Sequence, residues 1–250
     1  MTNLIVGIGV GENNEKILNS INSVRDKVRI RIFTSLDLEF NGTNPEIHKC
    51  ENPEEALIDA LYDKSIDAAV RGTLPANKMM KNLKRHAGVS SLERAAIIET
   101  SDGTRFLLAP VGVDEGWTVD EKISFINASR PVAKKFGIND RVAVLSGGRT
   151  GDLGRHKIVD KTITDAIEIA EKTGADHCEI LIEDAVRQHG IIIAPDGISG
   201  NLIFRTLALL GDGNAHGAPV LNIDRIFVDT SRANKDYSNA ILIAESLAKK

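Results

Sequence analysis

A glycine-rich turn that carries two arginines is the stretch of this chain best suited to chemistry. It spans residues 146–155 and follows a short apolar run, residues 142–145, whose length is typical of a buried strand. Apolar residues then recur at helical spacing until Gly174, which predicts a helix. Glycines let backbone N–H groups approach an anion closely, and a helix start offers unpaired donors and a partial positive charge.

The turn therefore predicts a site for phosphate or carboxylate, in which an arginine side chain supplies two parallel hydrogen bonds. The alternative is a surface strand-to-helix loop whose arginines pair with Asp152 or another acid. The candidate ligand-binding residues of this turn are Ser146, Gly147, Gly148, Arg149, Gly151 and Arg155.

Other predicted strands also end in polar turns. One turn, residues 195–201, separates an apolar strand from an apolar helix, and another, residues 229–232, follows the last predicted strand. Open α/β sheets bind ligands beyond the carboxyl ends of their strands, so we expect the three turns to converge on one cleft. The alternative for the Ser-Arg pair is a capping serine beside a solvent-exposed arginine. The candidate residues are Asp196, Gly200, Asn201, Asp229, Ser231 and Arg232, with Arg71 at a further strand end.

Strands and helices alternate along most of the sequence, which predicts an α/β protein with a parallel sheet. An antiparallel hairpin is predicted for residues 95–98 and 106–111, and it places a domain border near residues 86–95. Local patterns further predict a helix cap at Asn52, a capping box from Thr118 to Glu121 and a kink or break at Pro131. Residues 179–182 read as a strand and residues 212–219 as a loop.

Composition places the chain among ordinary globular proteins. The 250 residues are 42% hydrophobic and 26% charged, with a formal net charge of -4 and no basic block, so nucleic acid is not the expected partner. We expect no membrane span, no secretory signal and a cytoplasmic protein whose two cysteines, Cys50 and Cys178, are free thiols.

Two other kinds of site receive little support from the sequence. Gly7, Gly9 and Gly11 open like a dinucleotide-binding motif, but the third glycine falls too early, so a tight turn is favoured over a nicotinamide site. The six histidines fall at no ligand spacing, so we expect no metal site.

Three of these stretches, taken in order, resemble the phosphate acetyltransferase and butyryltransferase family. The family's "Leu-Ser, small residues, glycine" segment resembles residues 144–148 with Gly151, and its helix entry resembles Pro195-Asp196 with Gly200-Asn201. Its serine-arginine signature is similar to residues 227–233. The similarity spans roughly residues 85–245, and the chain as a whole resembles the methanogen branch known as methyltransferase-associated subunit X, or methanogenesis marker protein 4.

The resemblance implies a two-domain, three-layer fold like that of isocitrate and isopropylmalate dehydrogenases, with an interdomain cleft. We expect one α/β domain from residues 1–88 and 225–250, and a second from residues 89–224. The family also implies a homodimer, a small phosphate or acyl ligand, and no cofactor apart from coenzyme A as a substrate.

The resemblance assigns acyl-phosphate binding and polarisation to Ser231 and Arg232. The family's thiol base is an aspartate seven residues beyond the serine, where this chain has Ser238. Asp236 is the nearest acid and the candidate base, although a shift of two residues along a helix turns a side chain to another face.

Two functions follow as hypotheses. The first is a transferase that converts acyl-CoA and phosphate into acyl phosphate and CoA. The second is a methyltransferase subunit, or an accessory protein linked to methanogenesis that retains the ligand site without the chemistry. The absent aspartate favours the second hypothesis.

Overall fold

The computed structural model describes residues 3–12, 14–40 and 43–249. They form an α/β protein with two compact units, Met1–Leu92 with His216–Lys250 (unit 1) and Glu93–Ala215 (unit 2). The sequence assigns residues 1–88 with 225–250 and residues 89–224 to two independent domains, and this assignment stays a prediction. The strands are β1 Ile5–Val10, β2 Arg29–Thr34, β3 Glu46–Lys49, β4 Ala68–Val70, β5 Ala96–Glu99, β6 Arg105–Ala109, β7 Val142–Val144, β8 Asp176–His177, β9 Ile191–Ile193, β10 Asn214–Pro219 and β11 Ile226–Asp229.

Helices alternate with most of these strands. They are α1 Glu15–Val24, α2 Pro53–Tyr62, α3 Ala76–Ala87, α4 Val119–Lys135, α5 Lys157–Thr173, α6 Ile182–Gln188, α7 Gly197–Arg205 and α8 Ser238–Ala248, with a π-helix at Thr206–Leu210 after α7 and a single 3-10 turn at Thr150–Asp152.

In unit 1 the strand order is β3-β2-β1-β4-β11-β10, parallel except for β10. The parallel strands are short apolar runs, as expected for a sheet covered on both faces. Phe33, Leu57, Ile58 and Phe227 are among the residues of its core with at most 1% exposure. The register pairs Ile8 with Val70 and Val70 with Val228, so β1, β4 and β11 end at the same sheet edge.

In unit 2 the strand order is β5-β6-β9-β7-β8, and β5 and β6 form the predicted antiparallel hairpin. The other neighbours are parallel. Val144 of β7 pairs with Ile193 of β9, so the turns that follow these two strands start beside each other. Within each unit, the parallel register therefore brings the polar turns predicted from the sequence to a common edge.

The capping box at Thr118 is confirmed: its hydroxyl accepts the Glu121 N–H, and the Glu121 carboxylate accepts the Thr118 N–H. Asn52 occupies the predicted N-cap position, with Pro53 at the first helical position, but its side chain accepts from Lys78 Nζ at 2.9 Å and not from a backbone N–H of α2. Of the kink or break expected at Pro131, the break is wrong. Helix α4 continues to Lys135, and the Phe136 N–H still donates to the Val132 carbonyl.

Two predicted elements differ from the structure. The strand expected at residues 179–182 lies earlier, at β8, because Glu179 has a φ of 56° that ends the extended chain, and α6 starts at Ile182. The loop expected at residues 212–219 contains strand β10, whose Ala218 pairs with Asp229 of β11. Pairing with a distant strand decides this conformation, which local polarity does not reveal.

Gly72 allows the closest backbone approach in unit 1. Its φ is 63°, and a Cβ at this position would lie 1.9 Å from the Gly9 carbonyl oxygen. The Thr73 N–H donates to that same carbonyl at 3.1 Å. A side chain at residue 72 would therefore force the β1 and β4 ends apart.

We expect Gly72→Ala to lower the free energy of unfolding by about 4 kcal/mol, because left-handed strain and a backbone clash combine. Gly103→Ala is the matched control. Gly103 has a φ of 87° but an open Cβ position, so it should cost only about 1 kcal/mol. Urea denaturation measures both variants, and equal losses would contradict the proposed clash.

Candidate functional site

The ends of β4 and β11 meet through a buried ion pair. The Arg71 guanidinium, 5% exposed, contacts the Asp229 carboxylate through Nε and donates to the Leu74 carbonyl at 2.9 Å. Asp229 Oδ1 also accepts the Thr230 N–H at 2.8 Å. Taking both charges out of water is costly, and the attraction between them offsets that cost only when the two groups are closely aligned. The pair therefore restrains the start of the turn that follows β11.

Thr230 to Arg232 form the turn that the resemblance singles out. The Thr230 hydroxyl donates to the Gly72 carbonyl at 2.9 Å, and the Ser231 hydroxyl accepts the Ala233 N–H at 3.2 Å. The buried Tyr237 donates its hydroxyl to the Ser231 carbonyl at 3.0 Å. Arg232 is exposed, and its guanidinium has no hydrogen bond or ion pair to any described residue.

Two guanidinium groups act on this turn. Burial raises the pKa of Tyr237, while the charges of Arg71 and Arg232 oppose that rise. Both charges therefore act on the hydroxyl that donates to the Ser231 carbonyl. Arg232 directly follows Ser231 in the chain, and an exposed guanidinium next to a serine suits an oxyanion.

Asp236 lies just before α8 and is engaged in capping. Its Oδ1 accepts from the hydroxyls of Ser20 and Ser238, each at 2.7 Å, and from the Ser238 N–H at 2.9 Å. Burial opposes the charge, but these hydrogen bonds outweigh it and hold the pKa of Asp236 below its ordinary value. A carboxylate so engaged is a weak base, and the arrangement favours a structural duty over the thiol base assigned from the sequence.

The glycine-rich turn of unit 2 has most of its amides occupied by protein acceptors. The Gly147 N–H donates to the Thr162 hydroxyl at 2.9 Å, the Arg149 N–H to Asp152 at 2.8 Å and the Thr150 N–H to Glu179 at 2.8 Å. Glu179 also accepts the Thr150 hydroxyl at 2.9 Å. The bonds from Thr150 hold the pKa of Glu179 below its ordinary value. The carboxylates of Asp152 and Glu179 thus bind backbone N–H groups that could otherwise bind an anion.

The arginines of this turn differ from each other. Arg155 pairs with Asp152 at 2.9 Å, which is the alternative that the sequence left open. Arg149 is exposed, and its guanidinium contacts no described residue by a hydrogen bond or ion pair. Gly151 is exposed with open space around it, whereas Gly148 is buried against Val159. Ser146 is 1% exposed and is not presented to solvent.

The second turn of unit 2 fastens α7 to the loop after β6. Asp196 caps α7 by accepting the Ser199 N–H at 2.8 Å, and the Asn201 amide donates to the Val111 carbonyl at 2.9 Å. A Cβ at Gly197 would lie 1.7 Å from the Gly112 oxygen, and one at Gly200 would lie 1.9 Å from the Pro110 oxygen. The motif therefore has a packing role, and its ligand-binding role stays a prediction.

Sequence reasoning missed the groups that hold these turns. Glu115, 2% exposed, accepts from Arg94 Nε at 2.6 Å and from the Gly112 N–H at 3.1 Å. Burial raises the pKa of Glu115, and Arg94 opposes that rise. Glu179 and Tyr237 were missed as well. Glu115 and Glu179 bond to partners 21 and 29 residues away, and an isolated acid or tyrosine gives no local signal.

Two negative observations apply to residues 3–12, 14–40 and 43–249. No group of three or more His, Cys, Asp and Glu side chains there is arranged to hold a metal ion. In the same part of the chain, every helix is too short or too polar to cross a membrane.

Arg71→Met should lower the free energy of unfolding by about 3–5 kcal/mol, because it leaves Asp229 buried without its cation. Combining it with Asp229→Leu should recover most of this loss. Arg141→Met is the control: its pair with Asp176 is more than half exposed, so it should cost about 1 kcal/mol or less. Urea denaturation of the natural chain, the two single variants Arg71→Met and Asp229→Leu and the double variant measures the coupling, and strictly additive losses would contradict it.

The lowered pKa of Asp236 predicts a pH-dependent contribution to stability. A carboxyl group with a depressed folded-state pKa stabilises above its unfolded value, about 3.9, and loses that contribution as the pH falls through the folded value. Asp236→Asn should therefore be less stable than the natural chain at neutral pH, and the difference should shrink below about pH 4. Chemical denaturation at both pH values tests this, and a constant difference would speak against it.

The sequence is similar to known proteins over almost its whole length. No protein-family model matches it. The chain is 41% identical over 253 residues to a Methanosarcina mazei protein named as methyltransferase mtx subunit X, covering 97% of this chain and 90% of that protein. It is 38% identical to an uncharacterized methyltransferase of Methanocaldococcus jannaschii, covering 95% and 96% of the two chains.

Solved structures share the fold at low sequence identity. A branched-chain phosphotransacylase from Enterococcus faecalis aligns with a TM-score of 0.76 at 14% identity, covering 98% of this chain and 99% of that one. A 4-hydroxythreonine-4-phosphate dehydrogenase from Klebsiella pneumoniae aligns with a TM-score of 0.61 at 9% identity, covering 98% and 100%. The chain thus belongs to the methanogen family of mtx subunit X, on a fold shared with phosphotransacylases.

Proposed function

We propose that this protein binds a phosphate-bearing ligand of the acyl phosphate and coenzyme A class, and that it interconverts acyl-CoA plus phosphate with acyl phosphate plus CoA. The observation that carries the proposal is Arg232: an exposed, unpaired guanidinium beside Ser231, on a turn held in place by the buried Arg71–Asp229 pair. The fold shared with phosphotransacylases supports the same reading.

In this proposal Ser231 and Arg232 contact the phosphate and the thioester or acyl oxygen, where a hydroxyl and a guanidinium stabilise negative charge. Arg71 contributes a buried positive charge at the start of the turn, where it pairs with Asp229. Arg149, the exposed cation of the glycine-rich turn in unit 2, keeps its phosphate-binding role as a prediction. The remaining candidates, among them Asp196, Gly200 and Asn201, keep a ligand-binding role only as a prediction, since their polar groups already bond within the protein.

Backbone amides contribute less to ligand binding than the glycine-rich turn suggests. Asp152 and Glu179 occupy the N–H groups of Arg149 and Thr150. We therefore assign phosphate recognition to arginine side chains, and a salt-dependent affinity follows from this assignment.

A second candidate function is a methyltransferase subunit or accessory protein that binds such a ligand without transferring an acyl group. The names of the relatives and the capping role of Asp236 favour it. A homodimer, a cytoplasmic location, the two-domain arrangement with a cleft and the absence of a cofactor stay predictions of the proposal.

Ligand-induced stabilisation tests binding. At about 100 times its dissociation constant, a ligand should add about 2.7 kcal/mol to stability. We expect phosphate, acetyl phosphate or CoA to raise the melting temperature, and Arg232→Ala to reduce this rise. Arg85→Ala is the matched control, because this exposed arginine pairs with Glu55 on the α2–α3 surface.

Turnover then separates the two functions. Phosphate-dependent release of free thiol from acetyl-CoA supports the transferase, whereas ligand binding without release supports the accessory protein. If none of the three ligands raises the melting temperature, both the transferase and the ligand-binding accessory protein are wrong.

A further inference from the structure

An apolar surface of unit 2 lies outside the site described above. It is formed by α6, by α7 and by the π-helix Thr206–Leu210 that continues α7. A pocket of about 350 Å³ opens between these helices, and its apolar lining residues are Ile182, Val186, Leu202, Ile203 and Leu207. These five residues, with Ile198 and Leu210, are called the α6–α7 face.

The α6–α7 face exposes large apolar side chains to water. Leu202 is 60% exposed, Ile198 is 48% exposed, and the two lie one helical turn apart on the same side of α7. Leu210 is 84% exposed. Single exposed apolar residues are ordinary on a protein surface, but a contiguous group of them around a recess marks an interaction site.

The π-helix is an unusual feature of this face. The Gly211 N–H donates to the Thr206 carbonyl, five residues earlier, at 2.8 Å. Such helices are rare and are often found at functional sites. Within this turn Ala208 is buried while Leu210 projects into solvent, so the backbone presents the larger side chain outward.

One acid and one base accompany the apolar side chains without pairing. Glu183 of α6 lines the pocket, and Arg205 lies one turn beyond Leu202 at the end of α7. Both are exposed, and neither side chain has a hydrogen bond or ion pair to any described residue. The adjacent Asp184, by contrast, pairs with Arg187 at 3.3 Å.

These features are self-complementary. An interface between two identical copies related by a two-fold axis uses the same patch on both, so the patch must contain both members of each contact. The α6–α7 face has a recess and a projecting Leu210, and it has a free carboxylate and a free guanidinium. Under a two-fold axis, each of these contacts occurs twice.

Other occupants match the face less well. A lipid surface binds helices whose polar side is rich in lysine and arginine, whereas α6 carries two acids and one arginine. A small polar ligand requires several placed hydrogen-bonding groups, and the polar residues of the pocket lining are Thr100, Glu183 and Thr206.

We propose that a second copy of this chain docks on the α6–α7 face through a two-fold axis. Leu210 of each copy covers the apolar pocket of the other, and Glu183 of each copy pairs with Arg205 of the other. The inference concerns assembly and goes beyond the proposed function, since it requires no ligand. All its residues lie in unit 2.

Sedimentation velocity and light scattering measure the assembly. The natural chain should be a dimer in the micromolar range, and Leu202→Glu should weaken the dimer by at least about 30-fold because it buries an unpaired charge. Ile158→Glu is the matched control. Ile158 lies on α5, is 62% exposed and is outside the face, so its variant should dimerise like the natural chain. Circular dichroism melting checks that both variants are folded.

A charge exchange tests the two-fold arrangement. Glu183→Arg brings two arginines together at each contact and Arg205→Glu brings two glutamates together, so each variant alone should be more monomeric than the natural chain. An equimolar mixture of the two variants should recover the dimer, because an acid then faces a base at both contacts. This recovery cannot come from a change in folding, since each variant is measured alone first.

A natural chain that stays monomeric over this range overturns the inference. So does a dimer that Leu202→Glu leaves intact, because the contact then lies elsewhere. Failure of the mixed charge variants to dimerise better than either alone overturns the two-fold arrangement. None of these measurements contains phosphate or coenzyme A, so their outcome is separate from that of the proposed function.

Discussion

The buried ion pair between Arg71 and Asp229 is the interaction on which the candidate site depends. It joins two strand ends that are far apart in the sequence, and it leaves Asp229 able to accept the next backbone N–H. The turn from Thr230 to Arg232 begins at this pair, is bonded to Gly72 through the Thr230 hydroxyl, and exposes Arg232. A buried charge pair is a poor source of net stability, but it tolerates little displacement, and this restriction positions the site.

Carboxylates have a second role in unit 2. Asp152, Glu179, Asp196 and Glu115 each accept backbone N–H groups of strand-end loops, the groups that a bound phosphate would otherwise engage. The loops are therefore ordered without a ligand. The guanidinium groups of Arg149 and Arg232, by contrast, are exposed and have no hydrogen bond or ion pair to any described residue.

The sequence predicted much of the fold, and its two misplaced elements failed for related reasons. The strand at β4 and the hairpin of β5 and β6 have strong local patterns, and they were found. Strand β10 was missed because its residues, Asn214–Pro219, become a strand only by pairing with β11. The strand expected at residues 179–182 failed because Glu179 has a left-handed conformation, with its carboxylate bonded to Thr150, 29 residues away in the chain.

The candidate residues divide in the same way. Patterning alone located the glycine-rich turn, the Asp196 motif and the Ser-Arg pair, since strand ends and helix starts have local signatures. Only the tertiary structure decided which polar groups are engaged: Arg155 is paired and Arg149 is not, Asp236 accepts the Ser238 N–H at the start of α8, and Ser146 bonds to His177. Spacing along a chain specifies local conformation, whereas the use of a hydrogen-bonding group depends on which distant atoms the packing of the core brings within 3 Å of it.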